Sequence, residues 1–306
     1  MGKQHVAVIG AAGQVGVPLT RGLLSLGHDV TIITRKKQQD TTLADFEQLG
    51  AKISFCADMH DTELMTDILQ GVDTLVASVP ASKSIIEQSE PIWLNAALKA
   101  GVKRFVPTEF GCHTQAIEMG DGEVFDNKKR FHDLLMNSGI GWTLFYNGGI
   151  FDYFLPNLRY FRKITTFGDL DLPIYTHDID DIGYLAALAV TDDRTLNMCV
   201  QVDYNALSQH EMLAQLKRNW PDYSFEYEHF SSEYISAMKE SAGDEVTAKK
   251  GSETDKERWG INYAIYVIGK LAVFNEQTLR TSELYPDYVC KRPEEVLSDA
   301  QFVFEG

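Results

Sequence analysis

Three glycines, Gly10, Gly13 and Gly16, lie between the apolar run 5–10 and the helical pattern at 14–27. In a glycine-x-x-glycine-x-x-glycine turn each has a use. The first lets the backbone reverse sharply, the second lets a pyrophosphate approach the helix N-terminus, and the third lets the helix pack close to a sheet. Free N–H groups and the helix dipole favour negative charge there. Glycine-rich turns also serve purely structural ends, but here the strand, the helix and later strand–helix units lie where a dinucleotide site needs them. Gln14 and Val15 fall within the turn. An NAD site commonly places an Asp or Glu about 20 residues on, to accept from the ribose 2′-hydroxyl. This chain has Arg35 nineteen residues after Gly16, followed by Lys36 and Lys37. A guanidinium binds a 2′-phosphate bidentately, whereas a carboxylate repels it. NADPH/NADP is therefore the expected cofactor, and Asp58 belongs near the adenine edge.

A Tyr-x-x-x-Lys pair occurs once, from Tyr266 to Lys270. It lies in a late apolar helix, far from the region after strand five that faces a nicotinamide, so a packing role is expected. That region holds Lys128 instead, in Phe125-Asp-Asn-Lys128-Lys129-Arg130. Cys56, Cys112, Cys199 and Cys290 are widely spaced without a C-x-x-C pair, so neither zinc nor a disulfide framework is suggested. No metal is expected.

The elements that must position these residues alternate. Strand patterns at 5–10, 29–35, 52–58, 73–80, 103–110 and 141–147 are separated by helical patterns at 14–27, 42–50, 84–101 and 126–139. Such crossover units indicate an α/β fold, a Rossmann-type doubly wound parallel sheet covered on both faces. After residue 150 the rhythm is mixed. Helices are expected within 151–161, 180–190, 208–220 and 259–274, with strands at 195–202 and 223–230 between them. The expected organisation is an NAD(P)-binding domain over 1–150 and a smaller mixed α/β substrate-binding part over 151–306, intimately packed on the first. The polar stretch 241–258 reads as a solvated loop, with a mobile pocket cover as the alternative.

The 306 residues include 28 Lys and Arg against 44 Asp and Glu, a formal net charge of −16. That field repels phosphate backbones and anionic lipid, so neither nucleic acid nor a membrane surface is an expected partner. No run approaches the ~18 apolar residues of a membrane-crossing helix. The first residues read directly into a strand, so a signal peptide is not expected. The expected location is cytoplasmic.

Taken together, GAAGQVG, the segment KRFVPTEFG, the helix lysine upstream of Trp142-Thr143, DIDDIGYLAALAVTDDRTLNMCVQV and LYPDY resemble the isoflavone reductase-like proteins. These are NmrA-like, atypical short-chain dehydrogenase/reductases, and the resemblance spans nearly the whole chain. It implies an NADPH-dependent oxidoreductase of secondary metabolism. Such an enzyme moves hydride to a C=C, C=O or quinone-methide-like carbon of an aromatic or phenolic molecule. Lys128 stands at the position of the family's catalytic lysine. Partly desolvated and near a cationic neighbour, it would serve as general acid or base; Lys129 is the alternative if the register slips by one.

The resemblance adds Val79, Pro80, Thr108, Lys128 and Asn147 to the cofactor contacts expected at the glycine turn, Arg35 and Lys36. Thr108, Glu109 and Phe110 match the segment nearest the nicotinamide. Phe110, His113, Gly149, Phe151 and Tyr153 are the expected substrate contacts. Departures from the family pattern, Cys112-His113 and Asn147-Gly148-Gly149, fall around that pocket. His177 is expected to be structural. The expected partner is a small aromatic molecule, with a homodimer left open. A non-catalytic NmrA-like regulator, sensing NAD(P) and binding a protein partner, is the alternative function.

Overall fold

Four of the five residues of β1 (His5–Ile9) are buried, because the strand runs through the middle of a sheet covered on both faces. The computed structural model describes residues 2–35, 41–151, 163–222, 224–245 and 254–297. After β1 come α1 (Gly16–Ser25), β2 (Asp29–Thr34), α2 (Thr41–Gln48), β3 (Lys52–Phe55), α3 (Thr62–Ile68) and β4 (Thr74–Ala77). A π-turn at Ile85–Ser89 then runs into α4 (Glu90–Ala100), followed by β5 (Arg104–Val106), α5 (Glu123–Met136) and β6 (Gly141–Tyr146). The remaining elements are β7 (Gly149–Ile150), β8 (Ile164–Phe167), β9 (Ile174–His177), α6 (Ile179–Thr191), β10 (Met198–Gln201) and β11 (Ala206–Leu207). They continue with α7 (Gln209–Asn219), β12 (Tyr227–Phe230), α8 (Ser232–Ser241), α9 (Asp255–Tyr266), β13 (Leu279–Arg280), α10 (Thr281–Leu284) and α11 (Pro293–Leu297).

The main sheet has the order β13-β10-β6-β5-β4-β1-β2-β3, and every pair in it is parallel. This is the doubly wound Rossmann arrangement. The direction of winding reverses between β1 and β4, so the loops after β1, β4, β5 and β6 open at one crevice beyond the strand C-termini. Two apolar layers fill the two faces. One is built around Phe105, Phe131 and Trp93, the other around Leu19, Leu23, Ile32 and Phe145, where α1 lies against α6.

Two strands after residue 150 complete this sheet. β10 pairs with β6, and β13 with β10, so residues expected in a separate part extend the first. Short strands carry no signal of which sheet they join. Arg104, buried in β5, binds the same region: its guanidinium donates to the carbonyls of Ala189, Val190 and Asp192 at 2.8–3.2 Å. It satisfies the last carbonyls of α6, where a cation also suits the helix dipole. The smaller sheets are β11-β9-β7 and β12-β8.

The helix expected over 259–274 ends at Tyr266, although its apolar pattern continues. Gly269 adopts a φ of +65°, and the N–H of Lys270 turns back to Ala264 O at 2.8 Å. α9 begins with a capping box of Thr254 and Glu257. Glu257 also accepts from Lys83 N–H at 2.7 Å, tying this helix to the loop after β4. The helix expected within 151–161 lies almost wholly outside the described residues, as does much of 241–258.

Candidate functional site

At the end of β1, Gly10 has a φ of +87°, and a Cβ there would lie 2.1 Å from Ser78 O. A Cβ on Gly16 would lie 2.0 Å from Gly10 O. The turn and the start of α1 are thus packed too closely for any other residue. Gly13 is different. It is exposed, its N–H donates to Gly10 O at 2.9 Å, and an added Cβ would meet that oxygen at 3.1 Å. α1 starts with no side-chain cap and no acidic residue in its first turn. An uncapped N-terminus beside an open glycine edge suits an anion, as a pyrophosphate would be. Ser78, Val79 and Pro80 leave β4 alongside this turn. Arg35 is exposed directly after β2, while Lys36 lies outside the described residues.

One crossover further along the sheet is a buried polar cluster. Lys128 Nζ, on α5, donates to the main-chain oxygen of Glu109 at 2.8 Å and lies 3.6 Å from its Oε2. Both side chains are almost fully buried. His132, one turn after Lys128, places Nε2 2.7 Å from Glu109 Oε1. The amide nitrogen of Gln115 is 2.7 Å from His132 Nδ1, so Nδ1 accepts and Nε2–H donates to the carboxylate. The Thr114 hydroxyl donates to Glu109 Oε2 at 2.6 Å. Burial alone would raise the Glu109 pKa, but Lys128, His132 and Thr114 outweigh it and hold the group down at about 2.

A second carboxyl behaves oppositely. Glu90, at the start of α4, is 1% exposed and accepts Thr108 N–H at 2.7 Å. Burial, reinforced by the Glu109 charge, pushes it up to about 8 despite that hydrogen bond and Lys128. The Thr108 hydroxyl donates to Val79 O, joining the loops after β4 and β5. Phe110, next in that loop, takes a φ of +32° and donates its N–H to Phe145 O at 3.2 Å. A non-glycine residue in that region is strained, and such strain is characteristic of functional loops.

Residues 2–288 match the NmrA-like family. The chain belongs to the NmrA-like family. It is 26% identical to the bifunctional pinoresinol-lariciresinol reductase 1 of Linum usitatissimum, over 94% of this chain and 96% of that one. It is 25% identical to isoeugenol synthase 1 of Petunia hybrida, over 94% and 90%. The solved structure of AtPrR2 with NADP+ and (+)pinoresinol superposes with a TM-score of 0.80 at 25% identity, covering 97% of this chain and 99% of that one.

In this NmrA-like protein the expected site residues fall into three groups. Gly10, Gly13, Gln14, Val15, Gly16, Val79, Pro80, Thr108 and Lys128 follow β1, β4 and β5 or face them from α5, at the crevice edge of the sheet. Asn147 follows β6 there. It is buried, with Nδ2 donating to Gly148 O and its main-chain oxygen accepting from His177 Nδ1. His177 is thereby the structural residue expected; with Nε2 accepting Tyr204 N–H, it is neutral, and burial lowers its pKa to about 4.

Among the expected substrate contacts, Phe110 is half-buried on its loop and Gly149, in β7, pairs with Thr176 of β9. His113 and Phe151 are each 1% exposed. His113 donates from Nε2 to the Thr278 hydroxyl at 2.7 Å, and its ring lies 4.4 Å from that of Tyr146. Burial pushes its pKa down to about 4. Phe151 belongs to the apolar layer around Phe105. Tyr153 lies outside the described residues. The Tyr266–Lys270 pair is packing, with Tyr266 stacked 5.0 Å from Phe167. All four cysteines are free, and no metal-binding group occurs among the described residues. Among the described residues, no helix is long and apolar enough to cross a membrane.

The expected cationic neighbour of Lys128 is replaced by an anion, because the chain after β5 turns Glu109 back onto α5. The sequence places Glu109 in the segment nearest the nicotinamide but gives it no role, and it marks neither His132 nor Glu90. For His132 a signal existed: positions 128 and 132 share one helix face.

Proposed function

We propose that this chain is an NADPH-dependent reductase of an aromatic or phenolic small molecule, with Lys128 supplying the proton that accompanies hydride delivery. The observation that carries the reading is the Lys128 ammonium, held at 2.8 Å on Glu109 O and 3.6 Å from its carboxylate at the crevice edge of the sheet. The cradle of Gly10, Gly13 and Gly16 and the uncapped start of α1 suit the pyrophosphate, and Arg35 suits a 2′-phosphate. Val79, Pro80, Thr108 and Asn147 would then border the nicotinamide end. Bound there, NADPH supplies the hydride. The names of the relatives, reductases of lignan-type phenols among them, support an aromatic substrate.

Lys128 works as an acid in this arrangement. Its nitrogen is turned to two acceptors, the Glu109 carbonyl and carboxylate, which places Lys128 as a proton donor. Hydride arriving at carbon leaves negative charge on a substrate oxygen or conjugated carbon. Lys128 gives that atom a proton and recovers one from solvent. Phe110, strained and half-buried beside Thr108, offers an aromatic face near the reacting end. The test is incubation with NADPH and a panel of phenolic ketones, enones, quinones and benzylic ethers, following cofactor oxidation. Turnover of at least one aromatic class is expected. A protein that binds NADPH, oxidises it with none of them, and changes affinity for a protein partner with cofactor redox state would be a sensor instead.

A further inference from the structure

Seven titratable groups from several elements lie on or around the pair of Glu109 and Lys128. Glu109 and Cys112 come from the loop after β5, with His113 beside them; Glu90 comes from α4, His132 from α5 itself, Tyr146 from β6 and Cys199 from β10. The cysteines and the tyrosine are pushed upward by burial and stay neutral. Glu90 is protonated below about 8. Glu109 is therefore the anion that faces Lys128.

We propose that Glu109 and His132 are positioning residues for Lys128: the His132 Nε2–H fixes the carboxylate, and the carboxylate keeps the ammonium charged and aimed. The inference rests on the reductase reading for its purpose, not for its geometry. Each carboxylate oxygen is restrained, Oε1 by His132 at 2.7 Å and Oε2 by the Thr114 hydroxyl at 2.6 Å. Oε2 faces Lys128 at 3.6 Å without taking its shortest hydrogen bond, which goes to the Glu109 carbonyl at 2.8 Å. An ammonium has three N–H donors. One serves the carbonyl and one faces Oε2, which leaves a third for a substrate atom. Gln115, half-buried, holds the far side of the His132 ring and fixes its tautomer. The ring cannot rotate without breaking two hydrogen bonds. The carboxylate therefore cannot swing away from the lysine.

The test reads Lys128 ionisation directly, without turnover. Lysine ε-carbon NMR of the full chain gives the titration midpoint, with the Lys128 signal assigned by its loss in Lys128→Arg. Glu109→Gln removes the anion, and the Lys128 midpoint is expected to fall by about one to three pH units. His132→Phe should lower it by less, and His132→Gln, which keeps an N–H donor, should restore it. The alkaline limb of turnover should move with these midpoints, since a protonated Lys128 is the active form. A Lys128 midpoint unchanged in both Glu109→Gln and His132→Phe overturns the proposal. If Glu109→Gln loses its cooperative thermal transition, the two His132 variants decide alone. If the midpoints move as expected but no aromatic is reduced, the positioning inference stands and the reductase reading fails.

Discussion

Replacing Glu90 with Gln should stabilise the protein, and increasingly so as pH rises. Glu90 is held protonated in the fold up to about 8, against 4.5 for an ordinary glutamate. Between those values the unfolded chain has lost this proton and the folded chain has kept it. Stability therefore falls as pH rises from 4.5 to 8 and is flat beyond, because unfolding releases a proton throughout that window. A rise of about 3.5 pH units at about 1.36 kcal/mol each sets a ceiling of about 5 kcal/mol on the destabilisation by this one group. Gln has nearly the same shape and still accepts Thr108 N–H, but cannot ionise. The difference between Glu90→Gln and wild type isolates this group from other titrating residues. Urea unfolding of both proteins at intervals from about pH 5 to pH 9 gives that difference. It should be small near pH 5 and grow by several kcal/mol up to about pH 8. A difference that stays constant, or shrinks with rising pH, refutes the argument that this carboxyl is buried neutral.

The acid side should behave in the opposite sense. His113 and His177 are held to about 4, so stability present above 6.5 is lost as pH falls from 6.5 to 4, while His177→Gln should weaken that dependence by about half in the same urea series. At the glycine turn, Gly16→Ala puts a Cβ 2.0 Å from Gly10 O and should lower the thermal midpoint markedly. Gly13→Val should leave that midpoint within a few degrees yet remove the thermal shift on adding NADPH. Arg35→Ala should erase a preference for NADPH over NADH of about tenfold or more, as one charge-assisted contact is worth about 1.5–3 kcal/mol; calorimetric titration of both cofactors checks it.

The parts of this fold that were legible in the sequence are those whose signal is local. The β1–turn–α1 unit declares itself because Gly10 and Gly16 are forced by close backbone approach within a few residues. The parallel sheet follows from alternating strands and helices. Lys128 was legible by its place after the fifth strand, but its partner was not. Glu109 meets Lys128 only through the bend at Thr108–Phe110, where a phenylalanine takes a positive φ that nothing in its side chain predicts. Glu90 is an acid on a helix, indistinguishable by residue type from the exposed acids around it. The membership of β10 and β13 in the main sheet is likewise set by distant pairing, with Met198–Gln201 lying against Thr143–Tyr146. The hydrogen bond between His113 and Thr278, from far along the chain, has no local signal either.

The central claim is that Lys128 carries the proton step in a reductase. It is tested most directly by comparing wild type and Lys128→Ala for NADPH-dependent reduction of an aromatic substrate and for NADPH affinity in the same buffer. Loss of one acid–base group costs about 10²–10⁴ in rate. Lys128→Ala should lose turnover on that order while binding NADPH nearly as tightly, since the phosphate contacts lie at Gly10–Gly16 and Arg35. Turnover that survives in Lys128→Ala would contradict the account.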